Sequence, residues 1–129
     1  MSIKVFWANA QQNVILQGFT DPWTIEEHRA SLKAIQDMVR SQPHVVHSIA
    51  DMRQTVKTPA QLMLTFPTAE RSLSENTGLL FIVSAPNAVR TIVSTARRFI
   101  PKVSEKLHFV DTLDEAYTLI RDYENVQRA

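Results

Sequence analysis

Leu79-Leu80-Phe81-Ile82-Val83-Ser84 is the stretch on which the fold turns. Leu79 to Val83 is the longest apolar run in the chain, far short of the ~20 residues that a membrane-spanning helix needs. A short, continuous, β-rich run of this kind is a strand buried on both faces, the position found inside a parallel sheet. Parallel neighbours are joined by crossovers, so helices must flank it in sequence. They do. Upstream, Thr58-Pro59 offers an N-cap followed by proline at the first helical position. Pro67 then removes a backbone donor and clashes with the Met63 carbonyl, which predicts two short helices, about Pro59 to Phe66 and Thr68 to Glu75. Downstream, Asn87 caps a predicted helix from Ala88 to Phe99, stopped by Pro101, with Ala88, Val89, Ile92, Ala96 and Phe99 on its apolar stripe.

The same alternation continues toward both ends of the chain. Val45 to Ala50 reads as a strand ending at Asp51, and Leu107 to Val110 as the last strand. Thr24-Ile-Glu-Glu27 and Thr112-Leu-Asp-Glu115 are two Thr-x-x-Glu capping boxes, each opening an amphipathic helix. The first runs from about Ile25 to Arg40 and buries Ile25, His28, Leu32, Ile35 and Val39; the second buries Leu113, Ala116, Tyr117, Ile120 and Tyr123. At the N-terminus, Ile3 to Ala8 and Val14 to Phe19 flank a polar stretch and read as an antiparallel hairpin. The order is β-β-α-β-α-β-α-β-α: one α/β domain over residues 1–129, with a mixed five-stranded sheet whose first strand is antiparallel. Asp21, Asp51, Ser84 to Asn87 and Asp111 then lie beyond the carboxyl ends of parallel strands, where open α/β sheets bind ligands.

Composition narrows the chemistry. Apolar residues make up 44% and charged residues 21%, the balance of a chain that builds a core. The absence of cysteine removes disulfides, thiolate nucleophiles and Cys-held metals, and suits a cytoplasmic location; no signal peptide is expected either. Fourteen basic against thirteen acidic residues give no global field toward nucleic acid or anionic lipid. Two glycines, Gly18 and Gly78, cannot build a P-loop or a G-x-G-x-x-G turn.

The stretch Asp51-Met-Arg-Gln-Thr-Val-Lys-Thr-Pro-Ala60 after the third strand, with Phe109-Val-Asp-Thr-Leu-Asp-Glu-Ala-Tyr-Thr-Leu-Ile120 at the end, resembles the STAS-like, or anti-anti-sigma-factor-like, superfold. That resemblance implies partner switching or ligand sensing. Many members carry a phosphorylatable Ser in an Asp-Ser-Ser-Gly-like turn after the third strand. Here Asp51 matches the acidic residue, but no Ser-Gly follows, so the chain is similar to a divergent branch without the phosphoserine, related in shape to lipid-transfer CRAL-TRIO domains. Thr55 and Thr58 are the nearest hydroxyl groups.

Side chains able to do chemistry are few. His44 and His47 stand three apart beside a strand and face opposite sides, so they cannot grip one metal together. His28, on an apolar helix stripe, reads either as a base or ligand under the sheet or, preferably, as a buried imidazole with one satisfied hydrogen bond. Asp51 and Asp111 end strands two steps apart, roughly 10 Å, wide for a retaining-type carboxylate pair or a shared divalent ion. No serine sits in a G-x-S-x-G elbow. We therefore expect no catalytic residue, no metal and no cofactor. Arg90, Arg97, Arg98, Lys102 and Lys106 lack interleaved aromatics and read as a solvated face rather than a nucleic-acid platform. The surplus apolar residues Met63 and Leu64 on the kinked helix are the anomaly. The leading expectation is a regulatory or protein-interaction module, contacting a protein partner or a second copy through Asp51, Arg53, Thr55, Thr58, Met63, Leu64 and Phe66, and through an edge strand that is apolar on both faces. The rival is a carrier of a small apolar ligand or lipid, with a pocket lined by Trp23, His28, Met63, Leu64 and Phe66.

Overall fold

A computed structural model describes residues 2–128, so Met1 and Ala129 of the expected 1–129 domain lie outside the described residues. Five strands form one sheet in the order β1-β2-β3-β4-β5: β1 (Ile3–Trp7), β2 (Val14–Thr20), β3 (Val46–Gln54), β4 (Thr77–Val83) and β5 (Leu107–Val110). β1 is antiparallel to β2, with Ile3 opposite Phe19 and Trp7 opposite Ile15, and all other neighbours are parallel. This is the mixed α/β sheet that the alternation of elements predicts.

Helices α1 (Ile25–Arg40), α2 (Phe66–Arg71), α3 (Asn87–Ala96) and α4 (Pro101–Lys106) share one face of the sheet, and α5 (Leu113–Arg128) covers the other. Alternation along each strand produces the two cores. Ile3, Phe19 and Met52 pack with Ile25, Val89 and Val93 on the first face, while Val14, Ile49, Phe81 and Val83 pack with Ala116 and Ile120 on the second. Each fully buried side chain of this size stabilises by roughly 1.5–3 kcal/mol.

Both Thr-x-x-Glu signals mark real helix starts. At Thr24 the box is complete: the Glu27 amide donates to Thr24 Oγ1 at 3.1 Å and Glu27 Oε1 accepts from the Thr24 amide at 3.3 Å. At Thr112 the hydroxyl accepts from the Glu115 amide at 3.1 Å. These contacts satisfy donors that the first helical turn leaves open.

Several local expectations require correction. β3 does not end at Asp51 but continues to Gln54, because Met52 is drawn into the first core. The segment before Pro67 is a 3₁₀ turn, Leu62–Thr65, rather than an α-helix, and Pro67 sits inside the first turn of α2, where its missing N–H is harmless. Asn87 does not cap α3; it is the first helical residue, after Pro86. The helix tightens into a 3₁₀ turn at Arg97–Phe99, which rotates its face so that Ile100 goes inside and Phe99 is exposed. Pro101 both ends that run and opens α4, an element absent from the sequence reading.

Candidate functional site

Between the sheet and the four helices of its first face lies a cavity of about 170 Å³. Its wall draws on every element of that layer: Phe19 from β2, His28 from α1, Leu62 and Phe66 from the turn into α2, Val93 from α3 and Val103 from α4. Short helices explain why it exists. α2 and α4 span only six residues each and are set by prolines at their starts, so neither lays a long side-chain ridge across the sheet. Among the described lining residues none is Asp, Glu, Lys or Arg.

His28 is the polar feature of this wall that stands apart. Its ring packs beside Phe19 and Trp23, with centroids 6.0 Å and 5.8 Å away, and its Nδ1 is buried without a hydrogen-bond partner. Burial lowers its pKa to about 4, so the imidazole is neutral at physiological pH. Of the two readings the sequence left open, the structure gives a buried imidazole, yet not one with its polar atoms satisfied. Two other polar groups in the wall are engaged: Gln17 Nε2 donates to Ser31 Oγ at 2.8 Å, and Thr65 Oγ1 donates to the Leu62 carbonyl at 2.8 Å.

A second concavity, an open groove, lies outside this wall and is lined by Pro22, Trp23, Arg29, Lys57, Thr58 and Leu64. Trp23 belongs to the groove and packs edge-on against Phe19, 4.9 Å away, so the indole backs the inner cavity as well. Its Nε1 donates to Thr55 Oγ1 at 2.9 Å, and the Thr55 hydroxyl donates to Asp21. Asp21 Oδ2 also accepts from the Val56 amide at 2.8 Å and the Lys57 amide at 3.2 Å. The Thr55 hydroxyl and these backbone donors hold the Asp21 carboxyl below its ordinary range.

The residues singled out in the sequence therefore divide. His28 and Phe66 line the cavity, Trp23 backs it, and Met63 and Leu64 of the same 3₁₀ turn face away from it and are exposed. Thr55 is buried with its hydroxyl occupied, and Thr58 Oγ1 is buried without a partner. Asp51 is bound by Arg53, whose Nε and Nη2 donate at 2.9 Å and 2.8 Å. Burial pushes the Asp51 carboxyl up, but the Arg53 side chain and amide outweigh it and hold it below its ordinary value. Asp111 faces a different cation, Arg90, at 3.8 Å, so the two strand-end carboxylates have separate partners.

One cluster escaped the sequence reading. His47 is fully buried on the face covered by α5; its Nδ1 accepts from the Leu79 amide at 2.9 Å and its Nε2 donates to Glu124 Oε1 at 3.2 Å. Glu124 also accepts from Asn13 Nδ2 at 3.1 Å, and the Tyr123 ring meets the imidazole edge-on at 5.0 Å. Burial lowers the His47 pKa, partly offset by Glu124. The local signal was Gly78: a Cβ there would lie 2.6 Å from His47 Cε1 and nearer still to Nδ1. Among the described residues no group of three His, Asp or Glu side chains is placed to hold a metal ion, and no helix is long and apolar enough to cross a membrane.

No family model matches the sequence, and no curated protein matches it. Among solved structures, the NMR structure of the protein TM1081 superposes with a TM-score of 0.61 at 16% identity, over 94% of this chain and 89% of that one. At that identity the likeness shows the fold.

Proposed function

We propose that this chain works by holding a small apolar molecule in the cavity between the sheet and α1 to α4. The cavity carries the reading. Protein interiors are packed about as densely as organic crystals, with few voids larger than a water. At ~24 cal/mol per Å³, an empty space of 170 Å³ costs about 4 kcal/mol, a large share of the ~5–15 kcal/mol that holds a domain folded. A ligand that fills it recovers most of that.

The test is thermal unfolding with compact apolar probes such as xenon or toluene. A probe at a hundred times its Kd stabilises by ~2.7 kcal/mol. Val93→Phe, which places a ring in the void, should raise the melting temperature by itself and abolish the response. A chain indifferent to every probe, with no small molecule released on denaturation in native mass spectrometry, refutes the reading.

A second reading, that of a protein-interaction or regulatory module, is favoured by one specific observation. Val56, Leu64 and Met63 are 81%, 62% and 40% exposed on the segment after β3, close to the groove beside Trp23. This is the segment through which the resemblance to STAS-like domains implies partner contact. Met63→Glu with Leu64→Lys should leave folding intact, since neither side chain is in the core, and should abolish any self-association seen by native mass spectrometry. A double variant that associates as wild type does refutes this second reading.

A further inference from the structure

We infer that the cavity takes a compact, uncharged molecule about the size of one substituted ring, whose apolar body fills the void and whose single hydroxyl meets the imidazole of His28. The inference rests on the reading of the cavity as a ligand site and deepens it by naming the ligand's class.

Size comes first. Apolar cavities of ~150 Å³ stay dry and admit a molecule the size of benzene. At about 170 Å³ this cavity matches one ring with a small substituent or a short branched chain, and it is too small for a two-chain lipid. Charge comes second. With no Asp, Glu, Lys or Arg among the described lining residues, an ionised ligand would lose its water and gain no counter-charge. Polarity comes third. Gln17 and Thr65 have committed their donors to Ser31 and Leu62, whereas His28 lines the wall with Nδ1 unpartnered. A neutral imidazole carries one N–H and one lone pair, and a hydroxyl pairs with either. The rings of Phe19 and Phe66 in the same wall suit an aromatic body, which packs on them edge-on or offset.

Three probes separate the parts: toluene, phenol and benzoate, titrated into the full chain at pH 7 and read by heteronuclear NMR. Toluene and phenol should both bind, and benzoate at least about a hundredfold more weakly. Phenol, and not toluene, should shift the ¹⁵N resonances of the His28 ring in the wild-type chain. In His28→Leu the phenol affinity should fall about fivefold to tenfold while toluene is unchanged, the size of one hydrogen bond; His28→Gln should restore the phenol preference. Should His28→Leu fail to fold, the wild-type ¹⁵N shift decides alone. Toluene binding with no phenol-specific shift and an unchanged ratio in the variant overturns the His28 contact and leaves the cavity reading standing. Benzoate binding as well as toluene overturns the uncharged class. If none of the three binds, the cavity reading falls with the inference.

Discussion

Gly78→Ala tests the packing of the second core. Gly78 lies within β4 at a negative φ, so at an unobstructed position alanine would stabilise by ~0.4–1 kcal/mol through the unfolded chain alone. Here the added methyl would sit 2.6 Å from His47 Cε1 and 2.7 Å from Val45 Cγ1. Val45 precedes β3 and is half-buried, so it has room to turn; His47 has none. Displacing the imidazole breaks its bonds to the Leu79 amide and to Glu124 and leaves polar groups unpaired, at ~1–3 kcal/mol. Overpacking adds a further ~1–3 kcal/mol. Set against the small entropic gain, the variant should be less stable by roughly 2–4 kcal/mol. Urea denaturation followed by circular dichroism reads this as a midpoint lower by about 1–2 M, given a slope of ~1–3 kcal/mol/M. A double-mutant cycle isolates the cause: in a His47→Ala background, Gly78→Ala should be close to neutral, a coupling of roughly 2–4 kcal/mol. A midpoint that is unchanged or higher in the single variant, or equal losses in both backgrounds, refutes the claim that the imidazole requires glycine beside it.

His28→Leu should stabilise the ligand-free chain by ~1 kcal/mol at pH 7, since it removes an unsatisfied buried nitrogen; calorimetry checks this. The His28 pKa is about 4 in the folded chain against about 6.5 unfolded, so its neutral form contributes stability that is complete above pH 6.5 and lost as the pH falls through 4. That amounts to about 3 kcal/mol, and the leucine variant should flatten this part of the pH profile relative to wild type, with His47 common to both. Asp21 is held below its ordinary pKa, so the stability it adds is present above the unfolded value and lost in acid. Asp21→Asn should weaken the loop at Val56 and Lys57, seen as faster amide hydrogen exchange there, and unchanged exchange would refute it. Thr24→Ala should cost ~1 kcal/mol by removing one half of the capping box, and fraying should be confined to the first turn of α1.

Elements whose cause is local could be read from the chain. The capping box at Thr24 and the Thr112 hydroxyl cap fix helix starts through contacts three residues long, and the alternation of Ile3 to Trp7 against Val14 to Phe19 sets a hairpin by itself. Elements decided by distant partners could not. β3 runs past Asp51 because Met52 finds a core built from several distant elements, and Phe99 faces solvent because a 3₁₀ turn shifts the helix phase. In sequence a proline marks the end of a helix, and at residue 101 it also opens one. The site divides in the same way. His28 and Phe66 were visible as apolar-face residues, but a void is a property of how short helices fail to fill a space, and no periodicity records that. His47 was hidden because its partners lie 32 and 77 residues away, at Leu79 and Glu124.

The place of Trp23 has an optical consequence. The chain holds two tryptophans. Trp7, on the edge strand, packs near Ile15, Val39 and Val46, whereas Trp23 touches two rings that wall the cavity and has its N–H bound to Thr55. A Trp7→Phe chain would emit from Trp23 alone, a buried indole whose wavelength and quantum yield follow the polarity and motion of the rings beside it. Occupancy of the interior would then be legible from outside the molecule, with no label attached.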